Sequence, residues 1–366
     1  MSTAASTGGP STQAGRARGR TVLQGVLGLG LAAALLVWGL PRVSNVTWPQ
    51  IWAVLRGVPA TTALLLFVGV VIGLYCYTFT LTGSLHGLRQ WQALIVNVAG
   101  SSVGNLLPGG GAAGLAATYT ICRSWGFSRR DISTSAIVTG VWNVLARIAL
   151  PLIAILALLA GRDSDVPSAL ADAAVAGALS GVLILGTFVA ILVSERAAVG
   201  IGQGVDKVIG RLWPRRTMNV RSLVVDLRAR ISDVVRTGWL SMTLGLVGFF
   251  GVYFVLFLVC MHATGVDLFY GQLFAAYALG RLLTAVGVTP GGLGVTEAAT
   301  AAALIAWGAG PAEAVAGALL FSVYTHLMEI PLGALGWLAW SVSPKKAPVE
   351  DTVDDAGHPA TEGLRG

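Results

Sequence analysis

The sequence predicts an all-α polytopic membrane protein with about six transmembrane helices and two broken helical hairpins set in an inverted repeat. Three observations predict it. Of 366 residues, 55% are hydrophobic and only 11% charged, against roughly 25% charged in an ordinary soluble domain. Apolar runs of roughly 20 residues, the length that crosses a bilayer as helix, recur along the chain. Two longer runs are cut near their middle by Pro-Gly-Gly, at Pro108 and at Pro290.

Taken in order, residues 1–20 are rich in Ser, Thr, Gly and Ala, carry Arg16, Arg18 and Arg20, and are expected to form a disordered cytoplasmic tail. The apolar run 21–40 exceeds the roughly 7 to 15 residues of a cleavable signal core, so it is expected to persist as the first helix. Further full helices are expected near 57–82, 132–160, 170–193, 238–262 and 311–341. The interrupted stretches are 91–123 and 270–308, and their second limbs, 112–123 and 294–307, are too short to cross comfortably. Unpaired amides in hydrocarbon cost several kcal/mol each, so such breaks persist only inside protein or beside a wet cavity. Both stretches therefore read as helical hairpins, either re-entrant or spanning and broken. The segment 195–236 holds nine basic and four acidic residues among Val, Ile and Leu. It is expected to be a cytoplasmic amphipathic linker that anchors topology or gathers anionic lipid. Residues 342–366 are polar and acidic and are expected to be a second disordered cytoplasmic tail. The transmembrane domain then spans 21–341, in halves 21–160 and 170–341.

The charge distribution orients this scheme. With the N-terminus inside, cytoplasmic segments hold 19 of the 24 Lys and Arg, the outside loops hold Arg42, Arg56 and Arg162, and Arg147 and Arg281 fall within apolar runs. The positive-inside rule thus predicts a multi-pass protein of the cell membrane with both termini cytoplasmic. The net charge of +7 arises from the same rule, so nucleic acid is not an expected partner. Cys76, Cys122 and Cys260 lie in or beside apolar segments without CxxC spacing and read as small hydrophobes rather than disulfide or zinc ligands.

The two breaks are related. At an offset of 182 residues, Pro108 corresponds to Pro290, Trp125-Gly126 to Trp307-Gly308, Asn143 to Thr325, and Arg147 to Glu329. Because the first helix of one half leaves the cytoplasm and that of the other enters it, the halves have opposite orientation, an arrangement associated with alternating access.

Candidate site residues cluster around these breaks. Asn105, Pro108, Gly109 and Gly110 mark the first, and Pro290, Gly291, Gly292 and Gly294 the second. A glycine break that starts a half-helix leaves N–H groups aimed along a positive dipole end, which suits phosphate; the competing reading is close helix packing, preferred for scattered glycines such as Gly69, Gly73 and Gly177. Charges at a helix centre cost roughly 2.5–3.5 kcal/mol on insertion scales, so each needs a partner or a purpose. Arg147, with Asn143 one turn before it, and Arg281 read as phosphate contacts. Glu297, and Glu329 with Thr325 and His326 beside it, would hold those arginines or bind a cation or proton. Two structural ion pairs are the alternative.

The motifs "NLLPGG" and "ALGRLLTAVGVTPGGLGVTEA" resemble the transmembrane region of lysylphosphatidylglycerol synthases and related stand-alone flippase-like proteins, over roughly residues 20–341. The second motif, Pro290-Gly291-Gly292-Leu293-Gly294 with Glu297, is the more specific. The resemblance implies a lipid translocase for aminoacylated phosphatidylglycerol or polyprenyl-phosphate carriers. It also implies that lipid-modifying chemistry belongs to a soluble domain, which the roughly 25 residues after the last helix do not provide, and hence a separately encoded lipid-modifying enzyme as partner. One departure stands out: relatives carry basic and acidic residues after the first Pro-Gly, where this chain has Gly109 to Gly114 without a charge.

The expected function is a flippase or scramblase for an anionic or aminoacylated phospholipid or a polyprenyl-phosphate-linked lipid, with no catalytic residues, no metal and no cofactor. Two alternatives accompany it: an intramembrane enzyme using a polyprenyl-linked donor, and a secondary transporter of a small solute coupled through Glu329 or Glu297. No nucleotide-binding motif is visible, and no oligomeric state can be read from the sequence.

Overall fold

The structure is a computed structural model that describes residues 30–107, 110–160, 220–284 and 289–346, with a few isolated positions between 182 and 196. The expected helix at 170–193, most of the linker 195–236, both tails, Pro108 and Gly109, and Gly177 lie outside the described residues. The described chain is helical throughout. We number its helices α1 (Gly30–Val43), α2 (Trp48–Arg56), α3 (Ala60–Ser84), α4 (Gln90–Leu106), α5 (Gly110–Ser124), α6 (Arg129–Ala160), α7 (Val220–Ala263), α8 (Tyr270–Leu283), α9 (Val295–Ala306) and α10 (Pro311–Val342). Among the described residues, four helices, in α3, α6, α7 and α10, are long and apolar enough to cross a bilayer.

Both interrupted stretches fold as antiparallel helix pairs. In the first, α4 and α5 approach backbone to backbone: a methyl on Gly110 would collide with the Gly104 carbonyl oxygen, and one on Gly114 would lie 2.8 Å from that of Gly100. In the second, Thr300 of α9 faces Gly280 of α8, and the connection between them includes a short 3-10 segment, Pro290–Gly292. Each pair ends in the same way. The Gly126 N–H donates to Arg123 O at 3.0 Å and that of Phe127 to Cys122 O at 3.3 Å; the Gly308 N–H donates to Ile305 O at 2.9 Å and that of Ala309 to Leu304 O at 3.0 Å. Both are Schellman caps, which need the left-handed backbone that Gly126 (φ 91°) and Gly308 (φ 95°) adopt.

Small residues set the helix packing, as in other membrane bundles. Along the antiparallel contact of α3 with α7, Gly69 faces Leu256, Gly73 faces Tyr253, and Gly83 meets the backbone of Gly238, so these glycines serve packing. The Thr80 hydroxyl donates across the same contact to Met242 O at 3.1 Å. On the far side, Gly333 and Gly336 of α10 accommodate Ser102 and Val98 of α4. An aromatic cluster of Phe250, Tyr253, Phe257, Tyr277 and Phe321 fills the centre.

Where sequence and structure differ, the cause is local. The apolar boundary near 238 is no boundary in the backbone: α7 runs unbroken from Val220, so the last part of the basic linker continues into the spanning helix. Three prolines lie inside helices, and each deprives the carbonyl four residues earlier of its donor. Pro41 comes after a π segment, Leu35–Gly39, and the freed Val37 carbonyl accepts from the Trp48 indole at 2.8 Å. Pro331 comes after the π turn Val323–Leu327. Pro151 stands four residues after Arg147, within α6.

Tryptophans and basic residues gather at the two ends of α3. Near its start, Arg42 lies over Trp38 at 3.7 Å and Arg56 over Trp52 at 5.3 Å. Near its end, Trp91 packs on Trp125, and Lys345 lies over Trp340 at 4.0 Å. These groups are about 37 Å apart by helix rise over the 25 residues of α3, the spacing of two interfacial belts. Leu64, Leu65, Leu244, Val247 and Leu335 expose apolar surface between them, as lipid-facing residues do.

Candidate functional site

The breaks meet. A methyl on Gly291, in the second turn, would lie 3.2 Å from the Asn105 Oδ1, in the last turn before the first break, and 3.2 Å from His326 Cδ2. Around this junction opens a cavity of about 540 Å³ lined by α3 to α8, the second turn and α10. Such a volume lies within the range of small-molecule sites.

Asn105 joins the first break to α10. Its Nδ2 donates to Glu329 Oε2 at 2.9 Å and to His326 O at 3.3 Å. The second carboxylate oxygen of Glu329 accepts from the Tyr253 hydroxyl at 3.2 Å. The π turn presents these groups: Met328 N–H donates back to Val323 O at 3.0 Å, and the extra residue brings Thr325, His326 and Glu329 together on the cavity wall. π turns of this kind recur at functional sites. His326 Nδ1 stands 3.2 Å from the Thr325 hydroxyl and 3.5 Å from that of Ser322.

The two arginines differ. Arg147 Nη1 donates to Arg281 O at 3.0 Å and to the Thr284 hydroxyl, so it caps the C-terminal end of α8, where a cation complements the helix dipole. Asn143, one turn earlier, donates to the Tyr77 hydroxyl at 2.8 Å and to Thr139 O at 2.9 Å. Arg281 itself is only 8% exposed and rests against the rings of Phe321 and Tyr277, at 5.1 and 5.8 Å. Its Nε is buried without a hydrogen-bond partner, yet the side chain lines the cavity. A buried guanidinium nitrogen without an acceptor among the described residues is a costly arrangement, and points to an acceptor supplied from elsewhere.

Several expectations change at this level. No ion pair joins Arg147 or Arg281 to Glu297 or Glu329 among the described residues: both carboxylates take neutral donors instead. Glu297, 2% exposed, caps α9. It accepts from the Gly294 N–H at 2.6 Å, from the Thr296 hydroxyl at 3.1 Å and from the Ser322 hydroxyl. At the N-terminus of the half-helix after Pro290, the Gly294 N–H is therefore taken by the protein's own carboxylate. Glu297 lines a separate small cavity of about 20 Å³ behind Arg281. Gly110 packs against Gly104, and Gly294 against Leu35. Pro290, Gly292 and Gly294 shape the second turn together with Gly291, through positive φ at all three glycines, and of these three glycines only Gly291 lines the main cavity. The cavity thus brings together Asn105, Asn143, Arg147, Arg281, Gly291, His326 and Glu329, but not Gly110, Gly292, Gly294 or Glu297; the side chain of Pro290 lies outside the described residues.

Other lining residues were not singled out from the sequence: Gly111, Ser101, Thr118, Tyr77, Tyr253 and Thr284. Pro151 and Pro331, each placed to disturb the helix at or beside a polar residue, were a readable signal for Arg147 and for the π turn. Nothing in the sequence separates Tyr253 from the other aromatics of its run.

These features define a polytopic α-helical membrane protein with an open cavity, apolar for the most part but carrying charged and polar side chains, at the meeting of two helix breaks. The sequence profile described as "Lysylphosphatidylglycerol synthase TM region" matches residues 25–333, and the chain belongs to that family. No curated protein matches the chain in sequence.

Proposed function

We propose that this protein is a lipid translocase, a flippase or scramblase of the cell membrane, which carries a phosphate-bearing headgroup through the cavity while the acyl tails stay in the bilayer. The observation that carries the reading is Arg281: a buried cation on the cavity wall whose Nε has no acceptor among the described residues, and whose guanidinium a lipid phosphate would satisfy with charge-assisted hydrogen bonds. Membership in a family associated by its description with lipid synthesis agrees with a lipid substrate. In this reading the lipid leaves chemically unchanged, so the protein is no enzyme, and it works beside a separately encoded enzyme that modifies the lipid.

The halves act as an inverted repeat, with each broken pair entering from an opposite face and both termini cytoplasmic. Three features support this. The Trp-Gly pairs at equal offsets end their helices with the same cap; Arg147 and Glu329, and Asn143 and Thr325, at equal offsets from the two breaks, line one cavity; and Arg42 and Arg56 stand at the end opposite to Arg123, Lys345 and Lys346. Rocking one half against the other would expose the cavity to each leaflet in turn.

The test is leaflet exchange in proteoliposomes with a tail-labelled anionic phospholipid. Wild type is expected to speed exchange over protein-free vesicles, and Arg281→Ala to lower that gain by about 10- to 100-fold, the equivalent of the roughly 1.5–3 kcal/mol carried by hydrogen bonds to a charged group. Exchange no faster than in protein-free vesicles sinks the reading.

A further inference from the structure

We infer that the headgroup this cavity selects is a phosphodiester carrying a neutral, hydroxyl-rich group, and not an aminoacylated, cationic one. The inference rests on the translocase reading above and narrows its substrate.

The first ground is charge. The ionisable side chains on the cavity wall that carry formal charge are Arg147, Arg281 and Glu329, so cations outnumber carboxylates among the described residues. Glu329 is only 7% exposed, and each of its oxygens already accepts a hydrogen bond, from Asn105 and from Tyr253. Glu297 is turned away, onto the N-terminus of α9 and Ser322. A lysyl or alanyl headgroup would bring its ammonium beside two guanidinium groups with no free carboxylate to receive it, and like charges brought together at an interface are strongly disfavoured. A phosphate meets the opposite situation at the guanidinium of Arg281 on the cavity wall.

The second ground is hydrogen bonding. The stretch of wall between α4, α5 and α6 is polar but uncharged, with Asn97, Ser101, Thr118, Ser135, Thr139 and Asn143. Most of these are partly engaged: Asn97 donates to Leu74 O at 2.9 Å, Thr139 to Ser135 O at 2.8 Å, and Ser135 shares a hydrogen bond with Ser84 at 2.7 Å. Ser101 and Thr118, on the two facing limbs of the first broken pair, have no hydrogen-bond partner among the described residues. Together with the amide oxygens of Asn97 and Asn143 they offer both donors and acceptors without charge, which matches glycerol, inositol or sugar hydroxyls. This wall belongs to the same broken pair whose first turn, Gly109 to Gly114, carries no charge in the sequence. A glycerophospholipid and a polyprenyl phosphosugar both present this chemistry.

The experiment uses the full chain in proteoliposomes with tail-labelled phosphatidylglycerol, lysyl-phosphatidylglycerol and a short-chain polyprenyl phosphosugar, with radiolabelled glycerol 3-phosphate uptake measured in parallel. Phosphatidylglycerol or the phosphosugar is expected to exchange at least about tenfold faster than the lysyl lipid, a preference worth about 1.4 kcal/mol; whichever leads identifies the carrier. The double variant Ser101→Ala, Thr118→Val is expected to slow the preferred lipid several-fold at unchanged thermal stability, with Thr118→Ser alone close to wild type. Lysyl-phosphatidylglycerol exchanging as fast or faster overturns the inference and leaves the translocase reading standing. Exchange of no lipid, with or without uptake of glycerol 3-phosphate, overturns both.

Discussion

At the scale of single residues, the buried polar groups divide by whether the protein satisfies them. Glu297 is satisfied: it accepts from a backbone N–H and two hydroxyls, so removing it strands several buried donors. Glu297→Ala is expected to lower stability by about 1–3 kcal/mol, read as an earlier thermal transition in detergent. Arg281 is not satisfied among the described residues, since its Nε has no partner there. Arg281→Ala is therefore expected to leave the thermal transition unchanged or raise it while lowering exchange by the same factor of about 10 to 100, the pattern of a residue kept for function against stability. A fall in stability matching that of Glu297→Ala would show Arg281 to be structural. The sequence made both residues conspicuous, because charges are rare in apolar runs, but it could not tell them apart. Their difference lies in which neighbours the fold brings to each, and Ser322, 25 residues away in sequence from Glu297, is not a neighbour that spacing reveals.

At the scale of elements, glycine and proline have separable tasks. Glycines at Gly83, Gly238, Gly104 and Gly110 let helices touch along their backbones, whereas prolines withdraw donors and re-aim the adjoining turn. Pro331 is the sharper case. Without it, the α-helical bond to Leu327 O could form and the π turn Val323–Leu327 could relax, rotating Thr325 and His326 against Glu329 by about 100°, one residue of helix. Pro331→Ala is expected to keep or raise thermal stability while cutting lipid exchange at least several-fold; unaltered exchange would show the π turn to be incidental. By contrast, Gly238→Leu places a side chain where even a methyl would overlap Gly83 O, and is expected to prevent assembly of α3 on α7, seen as loss of a monodisperse species on size exclusion. The two broken pairs were legible from Pro-Gly-Gly inside long apolar runs, and their limbs agree with the expected ranges. The π turns were not, because they depend on whether a freed carbonyl is relieved by a local shift or, as at Val37, also by a distant donor such as Trp48.

At the scale of the whole molecule, an apolar outer surface surrounds a cavity that carries a few charged and polar side chains. Basic residues and tryptophans mark the two ends, apolar side chains cover the sides, and the breaks meet between them. The overall class was written in composition, and the family in two short motifs; the cavity was not, since its wall is assembled from α3, α4, α5, α6, α7, α8 and α10, whose mutual register is a product of packing. The proposed orientation gives a direct prediction. In a background without Cys76, Cys122 and Cys260, Asn45→Cys is expected to react with an impermeant thiol reagent added outside intact cells and Ser343→Cys only after permeabilisation; the reverse pattern would invert the topology. The central claim is that a lipid headgroup occupies the cavity where the breaks meet, and its most direct test is photocrosslinking in native membranes with a phospholipid that carries the photoreactive group on its headgroup, with the modified peptides then mapped. Capture is expected on α4 and α5 around Asn105 to Thr118 and on the Thr325 to Glu329 segment, reduced in Arg281→Ala. Capture confined to the tryptophan-rich ends, at equal yield in the variant, would contradict the claim.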